Sequence, residues 1–130
     1  MKILIGYDGS REAENALALA LNHATAFEAV VVIITSLQQS PVLHKIDIEK
    51  AQSELEYART AFNVAGIECD THVSVSYRTP GEDLVHYARE NRIRCIFIGL
   101  KKRSKVGKLV FGSTAQYVIL EAPCPVISVK

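Results

Sequence analysis

The alternation of apolar runs with helical patterns constrains the fold of this chain more than any other feature. Runs rich in β-branched residues, such as EAVVVIIT at 28–35, are followed by stretches in which apolar residues recur every three to four positions. Continuous apolar runs are typical of strands buried on both faces, and strand–helix alternation is typical of βαβ units. The sequence therefore predicts an α/β fold built on a parallel sheet.

The same pattern predicts the order of the elements. We predict strands at 2–7, 28–35, 69–76, 94–99 and 126–129, and helices at 11–24, 46–65, 82–91 and 113–121. The third helix follows TPGE at 79–82, a capping box with proline at the first helical position. Segments 36–45 and 100–111 have no regular period, so we predict loops there. No linker or repeat interrupts the series, which predicts one domain over residues 1–130.

Charge and hydropathy exclude several classes of function. The 130 residues carry a net charge of +1, so no overall field attracts nucleic acid or an anionic membrane. The apolar runs are far shorter than the ~20 residues that span a bilayer. The opening residues MKILIGYDGS lack the apolar region and the cleavage site of a signal peptide. We therefore predict a cytoplasmic protein that binds neither membranes nor nucleic acid.

Residue types that bind metals are scattered along the chain. Cys69, Cys95 and Cys124 form no CxxC pair, and each lies beside apolar residues, where a free cysteine behaves as a small hydrophobe. The four histidines form no HxxxH pair and no cluster with metal-ligand spacing. The sequence therefore predicts buried thiols and no metal site.

Ligands of open parallel sheets bind at the carboxyl ends of the strands, which directs attention to segments 7–10, 35–36 and 99–114. The last of these leaves a strand at Gly99, passes through the basic run KKRSKVGK and reaches Gly112, Ser113 and Thr114 at the start of a helix. A helix N-terminus suits phosphate, glycine admits a ligand close to the backbone, and hydroxyl groups add donors. Two other interpretations remain open: the glycine and serine form only a turn and an N-cap, and the basic run is a solvated loop.

The segment resembles the nucleotide-binding motif of universal stress proteins, G-x2-G-x9-G-[ST]. It reads Gly99-x2-Lys102-x9-Gly112-Ser113, with lysine in place of the second glycine. The beginning KILIGYDGS, the order of strands and helices and the ending APCPVISVK resemble the same family. The resemblance implies a three-layer α/β sandwich around a five-stranded parallel sheet of order 3-2-1-4-5, as in adenine nucleotide alpha hydrolase-like folds.

The resemblance also implies roles for individual residues. Asp8 would contact adenine, and the end of the second strand would supply backbone contacts at Thr35, to within one residue. Gly99 and Lys101 would lie near the ribose and phosphates. The residues that would hold the phosphates are Gly112, Ser113 and Thr114.

Two residues, Asp8 and Lys102, each have two possible interpretations. An aspartate after the first strand also caps its own turn, so Asp8 is predicted either to contact the ligand or to act locally. Lys102 either adds a cation beside the phosphates or reshapes the segment and closes the site.

The resemblance implies a protein that binds ATP or a related adenine nucleotide, with Mg²⁺ accompanying the phosphates, as a switch or sensor in a stress response. A P-loop is excluded because Gly107-Lys108 is followed by Leu109. Without a positioned base, we expect slow ATP hydrolysis at most. The alternative is a nucleotide-free protein that acts through partner contacts. In either case the resemblance implies a homodimer formed through the last strand, whose exposed edge would be covered by the pairing.

Overall fold

The computed structural model describes residues 1–105 and 108–130, and the side chains of residues 102–110 are outside this description. Seven strands and four helices occur in the described part of the chain. The strands are β1 (Lys2–Gly6), β2 (Val30–Gln38), β3 (Cys69–Ser76), β4 (Cys95–Gly99), β5 (Lys102–Lys105), β6 (Lys108–Phe111) and β7 (Val126–Val129). The helices are α1 (Arg11–Phe27), α2 (Lys45–Val64), α3 (Pro80–Glu90) and α4 (Ser113–Glu121).

The main sheet has five strands in the order β3-β2-β1-β4-β7, and every pairing is parallel. These are the five predicted strands, so the predicted order 3-2-1-4-5 is confirmed. From β1 the chain continues to β2 and β3 at one edge of the sheet, and from β4 it continues to β7 at the other edge. The connections that leave β1 and β4 therefore lead to helices on opposite faces of the sheet. In such sheets this switch point is where a crevice opens.

Two apolar clusters cover the two faces of the sheet. Ile3, Ile5, Ile33 and Phe97 of the sheet face α1 and α2, and they pack with Phe62 of α2; both phenylalanines are fully buried. The alternate strand positions face α3 and α4; they include Leu4, Val32, Ile34, Ile96 and Ile98. Each such side chain contributes about 1.5–3 kcal/mol by leaving water. This alternation of faces explains why the strands read as continuous apolar runs.

Side-chain caps fix the beginnings of α1 and α3. Ser10 Oγ accepts a hydrogen bond from the Ala13 amide at 3.1 Å. Thr79 and Glu82 form the predicted capping box, in which the Thr79 amide donates to the Glu82 carboxylate at 3.0 Å and the Glu82 amide donates to Thr79 Oγ1 at 3.3 Å. Pro80 occupies the first helical position, as the sequence predicts. Both helices therefore begin at the sheet's carboxyl edge.

Two predictions of loops are wrong in part. Strand β2 continues to Gln38, because β3 pairs with it along its whole length and sets Gln38 opposite Ser76. Within 100–111, β5 and β6 pair antiparallel, with Lys102 opposite Phe111 and Lys105 opposite Lys108. Backbone hydrogen bonds form this hairpin, so it needs no apolar periodicity in the sequence. Residues 106 and 107 of the predicted loop lie outside the described residues.

No helix in the described part of the chain is long and apolar enough to cross a membrane.

Candidate functional site

A cavity of about 540 Å³ opens at the carboxyl edge of the sheet, beside β1, β2 and β4 and between the N-termini of α3 and α4. This volume is in the ordinary range for small-molecule sites. Six of the eight predicted site residues line the cavity: Asp8, Gly99, Lys101, Gly112, Ser113 and Thr114. Ligands of parallel sheets bind at the carboxyl ends of the strands (the strand-end rule), and here these ends bring together three segments that are far apart in the sequence.

The N-terminus of α4 differs from those of the other described helices. Its N-cap is Gly112, which makes no side-chain cap hydrogen bond, and its first turn carries no acidic residue. The first turns of α1, α2 and α3 all carry acidic residues. The first intrahelical hydrogen bond runs from the Gln116 amide to the Gly112 carbonyl at 3.1 Å. Because the earlier amides have no intrahelical acceptor, this end of α4 presents donors and partial positive charge to the cavity.

The described part of the chain leaves the surroundings of Gly112 uncrowded. Its φ of −60° and ψ of 150° suit any residue. A β-carbon built there would meet no described atom within 4 Å. Neither conformation nor packing within the described chain requires glycine here. This geometry leaves room among the described residues for a ligand close to the backbone, and the phosphate role stays a prediction.

Gly99 has a different reason for lacking a side chain. A β-carbon at this position would lie 2.6 Å from both the Ala13 amide nitrogen and the Glu12 carbonyl carbon. These are backbone atoms of α1, which cannot move without shifting the helix. Gly99 lines the cavity, but close packing between β4 and α1 is sufficient to explain the glycine.

Asp8 forms two local interactions. Its Oδ1 accepts a hydrogen bond from the Ser10 amide at 3.0 Å, which is the turn-capping role that the sequence left open. Its Oδ2 lies 2.8 Å from Lys101 Nζ, and the two side chains are 54% and 44% exposed. Burial raises the pKa of Asp8, but hydrogen bonds from Lys101 and Ser10 and the charge of Lys101 outweigh it, so the pKa is lowered. Asp8 was predicted to contact adenine, and Lys101 was predicted to lie near the ribose and phosphates. In the structure the two side chains are paired with each other.

Replacing Lys101 by methionine is expected to raise the pKa of Asp8, because it removes a hydrogen bond and a positive charge. A lowered pKa stabilises the fold above the unfolded-state pKa, and this contribution is lost as pH falls through the folded-state value. The effect on stability is small because both groups are exposed. Carboxyl-carbon NMR titration measures the shift. Lys2→Met, at the opposite end of β1, is the control, and an unchanged Asp8 pKa in Lys101→Met would contradict the pairing.

Thr35 does not line the cavity. Its side chain is 8% exposed and, two positions after Ile33, lies on the face that packs against α1 and α2. Its hydroxyl has no hydrogen-bond partner among the described residues. The residues of β2 that do line the cavity are its neighbours Ile34 and Ser36. The residues that line the cavity are thus one position before and one position after Thr35, which is within the margin of one residue given for the prediction.

Lys102 lies in β5 opposite Phe111. Its side chain is outside the described residues, so both interpretations of this lysine remain predictions.

Tyr7 and the pair formed by Ser36 and Asp83 were given no role from the sequence. Tyr7 lines the cavity, and its hydroxyl donates a hydrogen bond to the Glu14 carboxylate. Burial raises the pKa of Tyr7, and the bond to Glu14 and nearby carboxylates raise it further. Ser36 Oγ donates to Asp83 Oδ2 at 2.9 Å. The strand-end rule pointed to the segments that contain Tyr7 and Ser36 without giving either residue a role, whereas no sequence signal joins Ser36 to an acid on α3.

The fold and the cavity define a class: a doubly wound α/β protein with its ligand site at the switch point of a parallel sheet. The model of the universal stress protein family matches residues 1–130, and the chain belongs to that family. A universal stress protein of Thermus aquaticus is 31% identical over 134 residues, which cover 98% of this chain and 97% of that protein.

Two solved structures extend the comparison. A universal stress protein from Archaeoglobus fulgidus superimposes with a TM-score of 0.90 at 36% identity, covering 100% of this chain and 98% of that one. A structure of the universal stress protein from Archaeoglobus fulgidus in complex with dAMP has a TM-score of 0.83 at 30% identity, with coverage of 100% and 98%. The three-layer fold is therefore shared along the full length of the chain.

Proposed function

We propose that this protein binds an adenine nucleotide in the cavity and holds it as a switch or sensor in a stress response. The N-terminus of α4, which lines the cavity and has no side-chain cap and no described atom within 4 Å of a β-carbon built on Gly112, is the observation that carries this proposal. Helix N-termini of this kind bind phosphate through their amides and dipole. The relative in complex with dAMP, 30% identical over the whole chain, supports adenine as the base.

The ligand lies across the switch point in this proposal. Gly112, Ser113 and Thr114 hold the phosphates, and Lys101 contributes positive charge at the mouth. The base lies on the other side of β1, where Ile34 and Leu84 supply apolar contacts. ATP is the proposed form. No group of three or more His, Cys, Asp or Glu side chains suited to a metal occurs in the described part of the chain, so Mg²⁺ would arrive with the phosphates.

The titratable groups that line the described cavity support binding without fast turnover. They are Tyr7, Asp8 and Lys101. Asp8 has a lowered pKa and is already paired, which makes it a weak general base. Tyr7 has a raised pKa and stays a neutral phenol bonded to Glu14. We therefore expect ATP turnover below about one per second, well under typical enzyme rates.

The proposed switch acts through residues 100–111: bound phosphates would stabilise this segment and so alter a dimer or partner surface. Hydrogen exchange with and without ATP tests this, with phosphate release followed in the same sample. Slower exchange in 100–111 with bound ATP and little release supports the switch. Equal hydrogen exchange with and without ATP would contradict the switch. Rapid phosphate release would show that the protein hydrolyses ATP and does not merely hold it.

We further propose a homodimer formed along β7 and α4. Strand β7 pairs on one side with β4 and has no second partner in the described chain. The neighbouring α4 exposes Tyr117, Ile119 and Leu120, the last at 79%. An unpaired strand edge beside an apolar helix face is suited to a second copy related by twofold symmetry. A cytoplasmic location agrees with the three free cysteines, because thiols remain reduced there.

Replacing Leu120 by glutamate is expected to convert the dimer into a monomer, because two charges would be buried near the symmetry axis. Sedimentation velocity over a range of protein concentrations measures the change. Val64→Glu is the matched control, since Val64 is an equally exposed apolar residue at the end of α2. Loss of the dimer in the control alone, or a wild-type monomer, would contradict the proposed interface.

A further inference from the structure

Asp83 is a charged side chain enclosed within the fold, with only 8% of its surface exposed. It lies in the first turn of α3, but capping does not require it, because Glu82 completes the capping box. Its contact instead reaches across to β2, where its Oδ2 accepts the hydrogen of Ser36 Oγ at 2.9 Å. Helix capping therefore does not explain why this carboxylate is buried and hydrogen-bonded to the Ser36 hydroxyl group.

The contact with Asp83 determines which hydrogen-bonding role Ser36 can offer to a ligand. Ser36 lines the cavity, and its single hydrogen is committed to a carboxylate that can only accept. Its oxygen therefore presents lone pairs alone. Turning the hydrogen towards a ligand would leave the buried Asp83 oxygen without that partner, which is unfavourable. Ser36 thus accepts a hydrogen bond from a ligand donor and disfavours a carbonyl oxygen.

Topology decides which part of the proposed ligand reaches Ser36. Strands β2 and β4 lie on opposite sides of β1, and the N-terminus of α4 follows β4 by way of the hairpin β5–β6. A nucleotide with its phosphates on α4 extends its base towards β2. The apolar residues Ile34, Pro80 and Leu84 line this side of the cavity. They offer a surface for a flat base, and Ser36 lies among them as a polar contact.

We propose that Ser36 determines base specificity and that Asp83 is its positioning residue. Together they select a purine with an amino group at position 6, as in adenine, over one with a carbonyl oxygen there, as in hypoxanthine. The proposal rests on the proposed nucleotide-binding function and adds to it the side-chain groups that read the base.

Calorimetric titration of the purified protein with AMP and with IMP tests the proposal. The wild-type protein is expected to bind AMP at least about tenfold more tightly, since IMP would set two acceptors against each other. Ser36→Ala is expected to reduce that ratio towards one, because it removes the discriminating oxygen. Ser36→Thr keeps the hydroxyl group and is expected to retain the preference.

Asp83→Asn tests the positioning role separately. The asparagine amide can donate to Ser36 Oγ, which frees the Ser36 hydroxyl hydrogen to point towards the ligand. The ratio of AMP affinity to IMP affinity is therefore expected to fall while the cavity keeps its shape. Glu82→Gln is the matched control: it removes a neighbouring charge from the same turn, preserves the capping box and leaves the ratio unchanged. A merely structural role for Asp83 would weaken AMP and IMP binding equally.

The outcomes separate the two proposals. Equal wild-type affinities for AMP and IMP would overturn the specificity proposal and leave nucleotide binding intact. An unchanged ratio in Ser36→Ala would overturn it as well, even if Asp83→Asn fails to fold. If neither AMP nor IMP binds, the same comparison is made with ATP and ITP, and binding of none of the four would overturn the proposed function, and the specificity proposal with it.

Discussion

Replacing Gly112 by serine is expected to weaken nucleotide binding by about tenfold to a hundredfold without destabilising the unliganded protein. The β-carbon enters space that no described atom occupies within 4 Å. The serine oxygen can cap α4 by accepting an amide hydrogen that would otherwise bind phosphate. Losing one hydrogen bond to a charged group accounts for an effect of this size.

The effects on stability and affinity have opposite signs, which makes the experiment informative. Serine is a slightly better N-cap than glycine, so the unliganded protein should gain a few tenths of a kcal/mol. Urea denaturation measures stability and calorimetry measures affinity. His44→Ser is the matched control, because it changes the N-cap of α2, which contributes no residue to the described lining of the cavity. Undiminished affinity in Gly112→Ser would contradict a phosphate site at α4.

Replacing Gly99 by alanine is expected to destabilise the fold by about 1–3 kcal/mol. The added carbon would lie 2.6 Å from backbone atoms of Glu12 and Ala13, closer than real β-carbons approach other atoms. The beginning of α1 must therefore shift, and with it the packing of α1 on β4. Because Gly99 also lines the cavity, nucleotide binding should weaken as a consequence of that shift.

Urea denaturation measures the loss as a lower midpoint with an unchanged slope. Gly112→Ser serves as the comparison, since it also adds a β-carbon at the cavity but meets no described neighbour. If Gly99→Ala is as stable as the wild-type protein while binding is lost, the glycine serves the ligand and not the helix.

Apolar runs were sufficient to predict the five strands of the main sheet, whereas their order was predicted from the family resemblance. Runs such as 28–35 are buried on both faces, and this burial leaves a strong signal in the sequence. The hairpin β5–β6 left no such signal, because backbone groups form the pairing and β5 contains no apolar residue. A prediction from apolar pattern alone therefore treats a hairpin of this kind as a loop.

The candidate site was predictable in its segments but not in its side-chain partners. The strand-end rule located Asp8 and the start of α4, since chain direction alone determines which ends of parallel strands meet. The face that each residue of β2 presents depends on register, so Thr35 was named although its neighbours line the cavity. The pairing of Asp8 with Lys101 depends on tertiary distances that no local pattern encodes.

Calorimetric titration with ATP and Mg²⁺ of purified protein, confirmed by absorbance to carry no nucleotide, tests the central claim most directly. The account predicts saturable binding of one nucleotide per chain, accompanied by a rise in melting temperature. An absence of both heat and thermal shift at millimolar ATP would contradict it. A nucleotide-free dimer that acts through partner contacts would then be the better explanation.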